Sequence, residues 1–292
     1  MVKLDPFRGT EARAQFIEKY QAVMDGWPVS YEELDVETAF GTTHVIVSGP
    51  ASAPALVLLH GASATATMWR PIIEPLSASY RCYCIDTITD ANKSVATRRL
   101  RGVEDHVAWL RQVLAALDVE HARIAGLSYG GWLAATLAVH APELVDRLLL
   151  LCPAATLAPI PPEFFGRMLS AGLLRSPSLA RRAVQWLSAT PDVTSDPTVD
   201  LIVTSLLTSR TLRLTVTPPT VLKDNQLRGI KAPTAVLIGD REVIYRGGAQ
   251  AALARAQKLI PNVRTRLLPG ANHALTVDCP KELAAQMTAA LT

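Results

Sequence analysis

The sequence predicts an α/β protein with a mainly parallel, doubly wound sheet, and three features support this fold class. Short continuous apolar runs such as ALVLL and RLLLL are typical of strands buried on both faces of a parallel sheet. These runs alternate with helix-like segments, as crossover connections require. Only the proline-rich segment 154–228 interrupts the alternation, without offering a convincing buried strand. The 292 residues therefore suit one large domain with an insertion.

The predicted elements follow one another in a regular order. A helix is expected before Met24, and ELDVETAF and THVIVSG on either side of Gly41 predict a β-hairpin. Strands are then expected at ALVLLH, RCYCID, HARIAGLS, DRLLLLCP, APTAVLIG and NVRTRLLPG. Helical spacing of apolar residues predicts helices at GVEDHVAWLRQVLAALDV, YGGWLAATLAVHAP, GGAQAALARAQKLIP and CPKELAAQMTAAL. We assign residues 1–153 and 229–292 to a core domain and residues 154–228 to a helical cap or lid.

Composition and charge exclude several classes of protein. The net charge is +3 and the basic residues are scattered, which argues against a nucleic-acid partner. The N-terminus lacks the features of a secretory signal, and no run of about 18 apolar residues predicts a membrane span. Four cysteines fit buried thiols in a reducing compartment. We expect a cytoplasmic monomer or homodimer that acts on a small molecule, with no metal, cofactor, nucleic-acid or membrane partner.

The segment IAGLSYGG contains the pattern G-x-S-x-G, with Ser128 at its centre. The pattern follows an apolar strand and precedes an alanine-rich helix, where the flanking glycines allow a very sharp turn. Such a turn exposes the serine hydroxyl and directs the free N–H groups of the helix toward it. Ser128 is therefore the candidate nucleophile, and the alternative is a tight turn without a catalytic role.

A second motif, His60-Gly61-Ala62, directly follows the strand ALVLLH. An H-G-x turn at this place resembles the oxyanion loop of α/β hydrolases. The resemblance implies that the backbone N–H groups of Ala62 and Tyr129 form the oxyanion hole. Two such donors stabilise a tetrahedral oxyanion by several kcal/mol. The alternative is an ordinary junction between a strand and a loop.

The chain resembles the α/β-hydrolase superfamily over residues 33–292. The stretches IDTITDANKS and GDREVIY are similar to those of bacterial serine carboxylesterases of the naproxen-esterase type. The resemblance implies the α/β-hydrolase fold, with an N-terminal hairpin and an inserted helical cap. It also implies that nucleophile, acid and histidine follow one another in that order along the chain.

This order restricts the base and the acid. His140 and His273 are the histidines that follow Ser128, and His140 lies on the helix directly after it. His273, in the loop LLPGANHAL after the last predicted strand, is the candidate base. Such hydrolases carry the acid three residues after a strand-terminal glycine, which points to Glu242, with Asp240 as the alternative. For either residue, a loop carboxylate without a catalytic role stays possible.

The substrate pocket has five aromatic or apolar candidates, and plain core packing explains them equally well. They are Trp69, Phe164, Phe165, Met168 and Trp186.

Three functions fit these residues. The first is cleavage of a carboxylic ester, thioester or lactone of a small apolar substrate through an acyl-enzyme. The second is a biosynthetic enzyme that uses the same triad for cyclisation, lactonisation, acyl transfer or C–C bond cleavage beneath a cap that excludes water. The third is a receptor-like binder without activity. A serine at position 128 disfavours haloalkane dehalogenases and epoxide hydrolases, which require an aspartate there.

Overall fold

A computed structural model describes residues 4–210 and 217–292, and its strands form one sheet. The order is β1-β2-β4-β3-β6-β7-β8-β9, with β5 beside β2. Strands β1, β4 and β5 run antiparallel to β2, and every other neighbouring pair is parallel. The predicted parallel sheet with an N-terminal hairpin is confirmed. The strands are β1 (Tyr31–Thr38), β2 (Gly41–Ser48), β3 (Ala55–Leu59), β4 (Arg81–Ile85), β5 (Val95–Ala96), β6 (Ala122–Leu127), β7 (Val145–Leu151), β8 (Thr234–Gly239) and β9 (Val263–Leu268).

Helices follow most strands and cover both faces of the sheet, which is why β3 and β8 are almost entirely buried and read as continuous apolar runs. Among the described residues, no helix is long and apolar enough to cross a membrane. The helices are α1 (Thr10–Asp25), α2 (Ile73–Ser77), α3 (Val103–Ala116), α4 (Tyr129–His140), α5 (Pro162–Leu174), α6 (Pro177–Gln185), α7 (Pro197–Thr208), α8 (Asp224–Arg228), α9 (Gly248–Leu259), α10 (Leu275–Asp278) and α11 (Pro280–Leu291).

Helices α5, α6 and α7 lie between β7 and β8 and share a small apolar cluster of their own, separate from the main core. The N-terminal helix α1 packs against α7. Lys19 of α1 pairs with Asp200 at 2.5 Å, and Arg8 donates to the carbonyls of Gly172 and Ser209. The segment before the hairpin therefore fastens the helical insertion. The cap boundaries at residues 154 and 228 stay a prediction.

Candidate active site

Ser128 occupies the sharp turn between β6 and α4. Its φ of 55° lies in the left-handed region, which costs energy for a residue with a Cβ. Two contacts hold it there: its N–H donates to Leu151 O and its carbonyl accepts from Ala154 N, both at 2.9 Å. Tyr129 begins α4, so its N–H has no acceptor within the helix. The turn thus presents a hydroxyl and a free backbone donor together.

Two glycines make this turn possible. A Cβ on Gly126 would lie 2.1 Å from the carbonyl oxygen of Gly130, and a Cβ on Gly130 would lie 2.1 Å from that of Leu59. Both distances are far below van der Waals contact. The spacing of the G-x-S-x-G motif therefore reflects the close approach of α4 to β6 and β3.

The loop after β3 is held against Ser128 by His60. The His60 Nδ1–H donates to Gly61 O at 2.8 Å, while Nε2 accepts from Thr87 N at 2.9 Å. Burial lowers the pKa of His60, which favours this neutral ring. A Cβ on Gly61 would lie 3.3 Å from Ser128 Cβ, and Ala62 lines the same cavity as Ser128. His60 thus fixes the loop that carries Ala62.

A carboxyl group that the sequence did not single out supports the same loop. Ser63 has a φ of 61°, and its N–H donates to Asp90 Oδ1 at 3.3 Å. Asp90 is buried, and burial raises the pKa of its carboxyl to about 7. Within the described part of the chain, Oδ2 of Asp90 has no hydrogen-bond partner. Asp90 lies in the stretch IDTITDANKS, where nothing marks it as special.

His273 and Glu242 form a buried pair. The His273 Nδ1 lies 2.9 Å from Glu242 Oε2, and the Ile244 N–H donates to the other carboxylate oxygen at 2.9 Å. Burial alone raises the pKa of Glu242, but the charge and hydrogen bond of His273 outweigh it and hold the pKa below its usual value. Glu242 is thus a carboxylate that fixes the ring, which leaves Nε2 free for another partner.

Asp240 and His140 lie elsewhere. Asp240 is exposed, and its Oδ1 accepts the Gly270 N–H at 2.9 Å. His140 is exposed at the end of α4. Of the two candidate acids, the structure brings Glu242 to His273.

Cys152, at the end of β7, adjoins the histidine–glutamate pair. Its Sγ and the nearest donor atoms of Glu242 and His273 all lie within 4.8 Å of one another, a spacing that could hold a metal ion. Burial, together with the charge of Glu242, raises the pKa of the Cys152 thiol well above its usual value. A metal ligand would need the thiolate. A Cys152 S–H that donates to Glu242 helps to hold the pKa of that carboxylate below its usual value.

Ser128 and His273 open into one cavity of about 170 Å³ beneath the helical insertion. In the described ranges, no Asp, Glu, Lys or Arg side chain lines it. Its walls suit an uncharged, mostly apolar ligand. The lining residues are Gly61, Ala62, Ser63, Ala64, Met68, Leu127, Ser128, Phe164, Met168, Val184, Leu187, Ser188, Val193, Thr198, Val199, Ile202, Leu206, His273, Ala274, Thr276 and Val277.

Two of the five predicted pocket residues, Phe164 and Met168, belong to this lining. The other three lie outside this lining, and a role for them in substrate binding stays a prediction. Trp69 is fully buried in the main core, and Phe165 is mostly turned to solvent. Trp186 packs beneath the Arg167 guanidinium, whose carbon lies 4.8 Å from the ring centre.

The carboxylate of Asp278 joins the loop of His273 to the insertion. Its Oδ2 accepts the Asn272 N–H at 2.8 Å, directly before His273. The same carboxylate accepts from the Ser188 hydroxyl, from the Ala189 N–H and from the N–H and hydroxyl of Thr190. Its partners at 188–190 lie about ninety residues away in sequence, so no local pattern could reveal it. Asp278 therefore couples the position of His273 to that of the insertion.

We expect Asp278→Asn to lower kcat by about ten- to a hundredfold with a smaller effect on KM. An amide offers one oxygen where two are used, and its NH₂ would face backbone N–H donors, displacing the His273 loop. Steady-state kinetics on p-nitrophenyl acetate measure this. Glu282→Gln is the control, because the described hydrogen bonds of this carboxylate join it to the exposed Arg266 and the half-buried Gln286 and not to the His273 loop. A lowered Tm with unchanged kcat would assign Asp278 a purely structural role.

Comparison with known proteins finds similarity to alpha/beta hydrolases and, among them, to carboxylesterases. The family model described as alpha/beta hydrolase family matches residues 56–286. Carboxylesterase YbfK of Bacillus subtilis is 29% identical over 280 residues, which cover 94% of this chain and 93% of the relative. The uncharacterized carboxylesterase nap of the same organism is 32% identical over 271 residues, covering 91% and 88%.

A solved structure agrees with these relatives. The crystal structure of naproxen esterase (carboxylesterase NP) from Bacillus subtilis matches with a TM-score of 0.90 and 30% identity, over 97% of this chain and 99% of that one. The resemblance to carboxylesterases of the naproxen-esterase type, drawn from IDTITDANKS and GDREVIY, is confirmed.

Proposed function

The chain belongs to the alpha/beta hydrolase family and is a carboxylic ester hydrolase, and we propose that it cleaves small, uncharged, apolar esters through an acyl-enzyme on Ser128. The observation that carries this proposal is the shared cavity. Ser128 and His273 line it together, Glu242 holds the far side of the histidine ring at 2.9 Å, and the walls are apolar.

In the first half of the proposed reaction, Ser128 Oγ attacks the ester carbonyl while His273 Nε2 takes the hydroxyl proton. The carbonyl oxygen becomes an oxyanion, which the N–H groups of Ala62 and Tyr129 stabilise. The tetrahedral intermediate then collapses to the acyl-enzyme. The C–O bond to the leaving alcohol breaks, and His273 returns the proton to that alcohol.

In the second half, water takes the place of the alcohol. His273 removes a proton from the water, which attacks the acyl carbonyl, and the same donors stabilise the second oxyanion. Collapse breaks the bond between the acyl carbon and Ser128 Oγ, His273 returns its proton to Oγ, and the carboxylic acid leaves. Glu242 keeps the Nδ1 proton in place throughout and stabilises the imidazolium that forms twice in each cycle.

Two experiments on separate samples test this proposal. One sample is labelled with a fluorophosphonate probe, and the other, unlabelled, hydrolyses an ester of a small apolar acid in water enriched in ¹⁸O. We expect the probe to modify Ser128 and the released acid to carry one solvent oxygen. No labelling at Ser128 would refute the acyl-enzyme. Labelling with products that lack solvent oxygen would replace hydrolysis by cyclisation or acyl transfer on the same serine.

A further inference from the structure

The outer side of α5 is unusually apolar for an exposed surface. Among the described residues, the large hydrophobic side chains with high exposure are Phe165 (52%), Leu169 (45%), Leu173 (51%), Leu174 (69%) and Val221 (37%). The first four belong to α5, and Phe165, Leu169 and Leu173 recur every four residues along one side of it. A concentration of this kind marks a surface that contacts a partner.

The same region carries an excess of positive charge. The helical hairpin formed by α5 and α6, residues 162–185, contains four arginines and one glutamate, a net charge of +3 that equals the net charge of the entire chain. Arg167 pairs with Glu163, and Arg181 pairs with Asp200. In the part of the chain that the structure describes, Arg175 and Arg182 have no carboxylate within ion-pair distance and are exposed.

We propose that this outer side of α5 docks on an anionic lipid surface. A helix with exposed apolar residues on its outer side, in a positively charged helical hairpin, suits the boundary between headgroups and acyl chains. A second copy of the chain is a poorer partner. A twofold interface through α5 would set one +3 hairpin against another. The expectation of no membrane partner rested on the lack of a membrane-spanning segment. A helix that lies along the membrane surface needs no such segment, so that expectation does not exclude this proposal.

Docking through the outer side of α5 would also affect the substrate, because the inner side of the same helix lines the cavity. Phe164 and Met168, neighbours of Phe165 and Leu169, line the cavity that holds Ser128. Docking would therefore place this wall of the cavity at the lipid boundary, where apolar esters concentrate. This consequence rests on the proposed function, while the docking itself does not depend on catalysis.

The test is co-sedimentation of the full chain with vesicles of phosphatidylcholine alone or of equal parts phosphatidylcholine and phosphatidylglycerol. We expect binding to the anionic vesicles only, and weaker binding as salt is added. The double variants Leu169→Gln/Leu173→Gln and Arg175→Gln/Arg182→Gln should each lower the partition coefficient about tenfold. Controls are Val221→Gln and Arg264→Gln, exposed residues outside α5 and α6, and these variants should bind as the unaltered chain does.

The same experiment is repeated with Ser128→Ala, so that loss of catalysis and loss of docking are told apart. Thermal unfolding and hydrolysis of p-nitrophenyl acetate check that the double variants are folded. Equal binding to both vesicle types, or double variants that bind like the controls, would overturn the proposal. So would sedimentation equilibrium showing a dimer that Leu169→Gln/Leu173→Gln abolishes, together with no vesicle binding, because the surface would then be an interface between copies.

Discussion

Replacing Ser128 with alanine is expected to reduce kcat for p-nitrophenyl acetate about a millionfold, because the acyl-enzyme can no longer form. Its φ of 55° and its contacts to Leu151 and Ala154 are backbone features. Alanine keeps the Cβ of serine, so the turn should survive and Tm should change little. His273→Ala should cost a similar factor, and the double variant should be no worse than either, since the two residues act as one unit.

A matched control separates the nucleophile from other hydroxyls of the cavity. Thr276 is buried in the same lining, and Thr276→Val removes its hydroxyl with little change of shape. We expect kcat of this variant to stay within about tenfold of the unaltered chain, because the change touches packing and not the bond that forms. A Ser128→Ala protein that stayed within the same range would mean that another residue carries the acyl group.

The strands of the sheet were predictable because the residues that define a buried strand are adjacent in the sequence. A parallel strand covered on both faces must be apolar along its length, and β3, β7 and β8 each show such a run in the sequence. Ser128 was predictable for the same reason, because close contacts at Gly126 and Gly130 require the glycines of its motif. Steric demands of this kind act over a few residues, so the sequence displays them directly.

The pocket was less predictable, because α5 is apolar on more than one side. Phe164 and Phe165 are adjacent in sequence, yet one lines the cavity and the other is exposed. Nothing in PEFFGRMLSAGLL distinguishes an inner from an outer side, since helical spacing shows which residues share a side and not where that side points. Asp278 was missed for a related reason, as its partners come from a distant part of the chain.

The structure distinguishes the surroundings of Glu242 and Asp240, which the sequence does not. Both follow the strand-terminal Gly239, and the sequence left them open. In the structure a turn closes with Glu242 N donating to Gly239 O at 3.2 Å. This turn carries the Glu242 side chain inward to His273 and leaves Asp240 outside, against the N–H of Gly270.

Glu242→Gln is accordingly expected to lower kcat about ten-thousandfold, whereas Asp240→Asn should change it less than about threefold. A glutamine amide can donate to Nδ1 and so stabilise the tautomer with its proton on Nε2, which cannot accept the proton of Ser128. Asp240 gives up only an exposed contact to Gly270. The two changes are matched acid-to-amide substitutions two residues apart, measured on p-nitrophenyl acetate with Tm as the check on folding.

The opposite ranking, with Asp240→Asn the more damaging by orders of magnitude, would make Asp240 the acid and Glu242 its neighbour.

The dependence of stability on pH tests independently which of the two carboxylates pairs with His273. The pairing with His273 holds the pKa of Glu242 below its usual value, so the carboxylate stays charged as the pH falls through the usual range of a glutamate and loses its charge only below it. Its contribution to stability is therefore present above the unfolded-state pKa and is lost as the pH falls through the lower, folded-state pKa. Glu242→Gln should remove that acid-side loss of stability, and Asp240→Asn should leave it in place, because only one of these carboxylates is buried against a histidine.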